Sequence, residues 1–148
     1  MARPVKEGWI TSKTADIYDL YERSVQCPES EVDLVLQSWG ELRGREPSSI
    51  REDFCGTSAV AREWVTRNET CTVVGVDLDG DTLGWARSKM LVDLSEQQRD
   101  RVTLVQEDVM TVNTGPVDCI LAMNFSYYGF KKRKVMLQYF TSVHRGLA

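Results

Sequence analysis

The stretch Ile50-Arg51-Glu52-Asp53-Phe54-Cys55-Gly56-Thr57-Ser58, carried on through Arg67 to Cys71-Thr72-Val73-Val74-Gly75-Val76-Asp77, decides the fold. Ile50 to Phe54 reads as a short strand that ends in a turn around Gly56. Thr57 to Arg67 reads as a helix with Val60, Trp64 and Val65 on its inner side, at helical spacing. Cys71 to Asp77 is β-branched and almost continuously apolar, the pattern of a parallel strand covered on both faces. Strand, helix and strand in succession form a βαβ unit, and its crossover is expected to be right-handed.

Downstream the alternation continues. Asp81 to Leu94 reads as a helix with Leu83, Ala86, Met90 and Leu94 on one side. Val102 to Gln106 and Val117 to Met123 read as strands. Lys131 to Arg145 reads as a helix with Val135, Tyr139, Phe140 and Val143 inward. Upstream, residues 1–13 read as a loose arm. From Thr14 a helix carries Ile17, Leu20, Tyr21 and Val25 on one face. Pro28 interrupts it, and a second helix opens at Glu29 to Glu31, with Ser30 as N-cap and Val32, Leu36 and Trp39 on a stripe. Gly40 to Ser49 is a connector. The fold class is therefore α/β. Residues 14–148 form one Rossmann-like domain, with a mostly parallel sheet, helices on both faces and extra helices at the N-terminus.

Composition narrows the function classes. The 148 residues are 42% hydrophobic, enough for a real core, and carry 18 Lys plus Arg against 22 Asp plus Glu. A net charge of -4 gives no sign of the basic face that a nucleic-acid binder shows. Cys27, Cys55, Cys71 and Cys119 form no C-x-x-C pair, which suits free thiols in a reducing compartment. His144 is the single histidine, so neither a histidine metal site nor a Ser-His-Asp triad is expected. No apolar run approaches the ~20 residues of a membrane span. The first ten residues lack the apolar core of a signal peptide, so a cytoplasmic protein is the expectation.

In open parallel sheets, ligands bind beyond the carboxyl ends of the strands. The turn after the first strand holds one glycine, Gly56, where a dinucleotide fold needs G-x-G-x-x-G. Glu52 and Asp53 would repel a pyrophosphate and favour a cationic group. Asp53 is read as structural. Glu52 is read as facing the ligand, or else as paired with Arg51 or Arg62. Asp77 ends the second strand, where a carboxylate can accept ribose hydroxyls. Asp108 follows the third strand, where an acid can accept from an adenine amine. Together the acidic loop, Asp77 and Asp108 outline a nucleoside with a positively charged appendage, and Leu78 and Val109 could supply an apolar slot for its adenine.

These residues resemble the class I S-adenosylmethionine-dependent methyltransferases, in a variant whose loop reads D-F-C-G-T in place of D-x-G-C-G-T-G. The resemblance runs from about Ile17 to the C-terminus. It implies a sheet of strand order 3-2-1-4 with further strands beyond it. It places Glu52 on the acidic position of the first motif, Gly56 on its middle glycine, Asp77 on the ribose acid and Asp108 on the adenine-side acid. Val117 to Ser126 falls on the segment whose strand end faces the methyl group, which brings in Asn124. Phe54 and Ser58 stand where the family has glycines. The implied cofactor is S-adenosylmethionine, with no metal and no covalent nucleophile, and the implied partner is a small-molecule methyl acceptor.

The family core has seven strands and four are read here, so the chain reads as a truncated, catalytically incomplete piece. Its fourth strand would leave an edge open to self-association. The competing reading is a SAM-binding or interaction module without catalysis. The aromatic run Phe125, Tyr127, Tyr128 and Phe130 reads as core or lid packing, Lys131 to Lys134 as a solvated helix start, and Asp118 as structural.

Overall fold

The computed structural model describes residues 10–148. Most of the arm expected over residues 1–13 lies outside them. The described part of it closes a turn, in which Thr14 and Ala15 donate to the Thr11 carbonyl.

Four parallel strands form the sheet: β1 (Ser49–Asp53), β2 (Thr72–Asp77), β3 (Val102–Gln106) and β4 (Cys119–Leu121), in the order β3-β2-β1-β4 that the family resemblance implies. Ile50 pairs with Val73 and Cys119, and Val73 pairs with Val102, so all four carboxyl ends lie on one edge. Helices cover both faces. On one, α2 (Pro28–Arg43) and α3 (Ala59–Arg67) bring Val32, Val35, Val60, Trp64 and Val65 against Ile50, Val73 and Leu121. On the other, α6 (Arg133–Arg145) brings Tyr139 and Val143 against Val76 and Val109. Strand residues alternate between the two cores, as a pleated sheet requires.

Several boundaries differ from the sequence reading. The expected break between the first two helices falls at residues 26–27, and Pro28 itself starts α2: it sits in the first turn, where its missing N–H costs nothing, and Cys27 rather than Ser30 is the N-cap. The helix expected over Asp81 to Leu94 is two pieces. After α4 (Gly80–Trp85), residues Ala86–Met90 open into a wide π turn, with Leu91 N–H donating to the Ala86 carbonyl. A short α5 (Glu96–Arg99) follows, closed by a Ser95–Gln98 capping box. β4 is shorter than Val117 to Met123. Val117 instead bridges outward to Leu147, donating to Gly146 and accepting from Ala148. At its other end the chain turns sharply at Asn124. Phe140 is not inward on α6. It lies about 100° around the helix from Tyr139 and is half exposed, meeting Tyr127 edge-on and Tyr139 at a tilt.

The remaining helix, α1 (Ile17–Val25), buries none of its residues. Its place is fixed by polar contacts. The Asp16 side chain caps its first turn and accepts a 2.7 Å bond from Trp85 Nε1. Tyr18 stacks on the Trp85 ring at 5.4 Å.

Candidate functional site

The turn between β1 and α3 is where the chain is most constrained. Phe54, Gly56 and Ser58 all have left-handed backbone, with φ of 60°, 50° and 64°. Only glycine adopts this shape freely, and other residues lose about 1–2 kcal/mol there. The two positions at which the resembled family has glycine thus keep a glycine conformation with other side chains in place. Packing holds them there. The Phe54 ring lies 6.0 Å from Phe130 and 5.7 Å from Tyr139. Ser58 is fully buried and donates to Cys55 Sγ at 3.6 Å. The turn also presses on β2: a Cβ at Gly75 would stand 2.8 Å from Cys55 Sγ, so only glycine fits there.

Asp77, at the end of β2, ties this turn to the sheet. One carboxylate oxygen accepts from Gly56 N–H at 2.8 Å and the other from Asp79 N–H at 3.0 Å. A carboxylate has about four acceptor positions, so two remain for hydroxyls of a ligand. Gly56 and Asp77 are thus in direct contact, and Glu52 is close enough for the Asp77 charge to act on it. Leu78 follows with its side chain exposed, and its carbonyl accepts from Gln106. Asp108 is exposed at the next strand end, where it accepts from Met110 N–H at 2.8 Å. Val109 points the other way, into the core with Val76 and Tyr139. Asn124 ends the β4 side with φ 54°, followed by Phe125 at 58°. Among the described residues, the four non-glycine residues with left-handed backbone thus lie in the turns after β1 and β4, strands that pair side by side. Strain of this kind persists only where surrounding contacts enforce it, and it clusters at functional sites.

The two acids of the first strand have opposite surroundings. Asp53 is paired with Arg51, at 2.8 and 3.2 Å, and accepts from the Tyr139 hydroxyl at 3.0 Å. Burial raises its carboxyl above the ordinary value, and the Arg51 guanidinium opposes that shift. Glu52 is only 2% exposed, and its Oε2 has no hydrogen-bond partner among the described residues. Burial lifts it well above the usual carboxylate range, and the charges of Glu31, Asp77 and Asp53 push it further in the same direction. Arg51 is thus taken by Asp53, and Glu52 stays unneutralised. The Cys55 thiol beside it is raised too, first by burial and then by Glu52.

Three polar residues of this region were not legible in the sequence. Gln26 at the end of α1 accepts from the Thr57 hydroxyl at 3.3 Å. Glu22 on α1 and Glu31 on α2 each hold a sealed carboxylate oxygen without a partner. Glu31 reads in sequence as an ordinary first-turn acid complementing the helix dipole, which conceals its inward position.

No protein-family model matches the chain, and no curated protein matches it. Solved structures do. An amino pentose methyltransferase from Micromonospora echinaspora involved in calicheamicin biosynthesis, with S-adenosylmethionine bound, matches at TM-score 0.71 and 18% identity over 90% of this chain and 52% of its own. A sugar N-methyltransferase from Streptoalloteichus matches at TM-score 0.71 and 18% identity, over 100% of this chain and 56% of its own. A glycopeptide N-methyltransferase complexed with S-adenosylmethionine matches at TM-score 0.66 and 19% identity, over 98% and 56%. The fold is that of the S-adenosylmethionine-dependent methyltransferases. The chain spans about half the length of these structures. Among the described residues, no helix is long and apolar enough to cross a membrane.

Proposed function

We propose that this chain binds S-adenosylmethionine at the carboxyl ends of β1, β2 and β3 and serves methyl transfer to a small molecule. The observation that carries this reading is the β1–α3 turn, which keeps the left-handed shape at Phe54, Gly56 and Ser58 and is tied down by Asp77. The residues fit the cofactor. Glu52 offers a buried acceptor to its cationic end, Asp77 retains lone pairs for the ribose hydroxyls, and Asp108 offers an exposed carboxylate at the next strand end for the adenine amine. Leu78 supplies exposed apolar surface beside them, and Asn124 stands at the β4 end toward the acceptor.

When bound, the cofactor supplies an electrophilic methyl carbon on a sulfonium. Glu52, Asp77 and Asp108 would hold it, and it would supply that methyl group to a lone pair of the acceptor, its sulfur becoming a neutral thioether. In such an in-line displacement the protein mainly holds the two partners in line, which suits a site built of acceptors and strained turns. The three structural neighbours are named for amino sugar, sugar and glycopeptide methylation, which supports a small polar acceptor here.

Isothermal titration tests the binding claim. S-adenosylmethionine is expected to give heat with the wild type, Asp77→Ala to lose it, and NAD to give none. No heat with the wild type, or heat unchanged in Asp77→Ala, overturns the assignment.

A further inference from the structure

We propose that the cavity between α6 and the connection from β3 to β4 binds a phosphoryl group of a small molecule, held by the buried Arg51 and the exposed Arg145. The site is separate from the one at the carboxyl ends of the strands and does not rest on the cofactor reading. It arises from the topology. Residues 107–118 join β3 to β4 without a helix, so the sheet face beside α6 is left partly open and a cavity of about 450 Å³ remains. Arg51, Thr111, Thr114, Ser142, Arg145 and Gly146 line it, and none of its lining residues is acidic. Gly146 leads into Leu147, which bridges Val117 ahead of β4. This wall of the cavity therefore lies toward the amino ends of the strands, the edge opposite Asp77 and Asp108.

The Arg51 guanidinium explains why the cavity wants an anion. The side chain is 1% exposed, and its Nε and Nη2 donate to Asp53. A guanidinium carries five N–H donors in a planar fork, so the Asp53 pair leaves three. Nη1 makes no hydrogen bond among the described residues. It lies against Gly146, where a Cβ would stand 2.8 Å from it and 3.0 Å from Ile120 Cδ1. Gly146 has φ of -85°, a shape open to any residue, so room for these side chains is what calls for glycine there. The remaining edge of the fork suits an oxyanion held by two parallel N–H bonds. Arg145 lines the same cavity and makes no ion pair among the described residues. The Thr111 and Thr114 hydroxyls donate to the Asp108 and Gly115 carbonyls at 3.4 Å. Bonds that long are weak, so both hydroxyls are free to turn to a better acceptor. A carboxylate has two oxygens in one plane, which a single guanidinium edge satisfies. A phosphoryl group spreads three oxygens in three directions, matching donors from β1, α6 and the connecting loop. An adjoining groove shares Thr111 and Arg145 and adds Arg133 and Lys134, so the positive field runs outward along α6.

Titration calorimetry with inorganic phosphate at constant ionic strength tests the site, with acetate as the carboxylate probe. Phosphate is expected to give heat with the wild type, and acetate none at the same concentrations. Arg145→Ala and Arg51→Lys should each weaken phosphate about tenfold or more, the scale of a lost charge-assisted hydrogen bond. The lysine keeps a positive partner for Asp53 while removing the second edge of the fork, and a circular dichroism melt checks that the variant folds. Should it unfold, Arg145→Ala decides alone, since that position is exposed. Lys131→Ala removes a charge next to α6 that does not line the cavity, and should leave phosphate affinity within about twofold. Four results each refute the site: no heat from phosphate with the wild type, equal binding of acetate, unchanged affinity in Arg145→Ala, or a loss in Lys131→Ala as large as in Arg145→Ala.

Discussion

Helices α1 and α3 both have nine residues and both carry apolar side chains at helical spacing, yet they do opposite things. α3 buries Ala59, Val60, Ala61, Trp64 and Val65 under the sheet. α1 leaves Ile17, Leu20, Tyr21 and Val25 exposed and touches the domain through Asp16–Trp85, Tyr18–Trp85 and Gln26–Thr57. Amphipathic pattern alone therefore does not decide burial: the partner face does. α3 follows the first strand directly and packs back on the sheet. α1 and the residues flanking it meet the end of α4 at Trp85 and the turn after β1 at Thr57. One helix builds the core, and the other is held at its margin.

The largest expected break in this comparison is energetic. Trp64→Ala should cost about 3–5 kcal/mol of unfolding free energy, because it empties the centre of the α2–α3 core. Leu20→Ala on α1 should cost under about 0.5 kcal/mol, as surface changes do. Urea denaturation of both variants measures the contrast, and similar losses would place α1 in the core after all.

A second effect separates the site from the core by pH. Glu52 has its carboxyl raised by burial, so its contribution to stability is complete below its ordinary value near 4.5 and is lost as pH rises through the raised one. Asp118 works in the other sense. Bonds from Arg45 and Ser48 hold its carboxyl well below the ordinary value, so its contribution is present above about 3.8 and is lost in acid. Glu52→Gln removes the titrating group, so it should raise the melting temperature at neutral pH relative to the wild type and flatten the fall above pH 4.5. A melting series across pH on both proteins decides it. An unchanged slope would mean that Glu52 is neutralised by a partner.

The smallest effect sharpens the comparison without unfolding anything. Trp85→Phe keeps the stacking ring and removes the donor to Asp16. Amide exchange in α1 should quicken while that of α3 stays slow, since local opening follows the few contacts holding a segment. Equal protection of both helices in the wild type would contradict the picture of a loosely held helix.

The sequence was most readable where the chain repeats a simple rule. The β2 run has one hydrophobic reading, and the spacing of Val60, Trp64 and Val65 admits one inward face, so the strand–helix–strand unit followed, while the strand order came from the family resemblance. Asp77 and Glu52 stood out as candidates because strand ends are where such sheets bind ligands. Val109 shows the limit: its neighbour Asp108 is exposed at the strand end, but one residue further along the chain the side chain turns into the α6 core. Phe140 shows another, since apolar character does not say which side of a helix edge it falls on. The π turn at Ala86–Met90 has no local signature, because it is set by how α4 docks. Glu31 and Glu22 stayed hidden for a related reason: their burial depends on helices from elsewhere closing over them.

The contact between Gly75 and Cys55 carries a consequence for how such chains can diverge. A Cβ at position 75 would press on the Cys55 side chain from the loop and on Leu104 Cδ2, 2.9 Å away on β3. A lineage that carries alanine at position 75 must therefore make room at position 55 and at position 104 together. One that keeps the sulfur holds the glycine in the strand. The wording of the loop, of β2 and of β3 is thus not independent, and the three positions should be inherited as a unit.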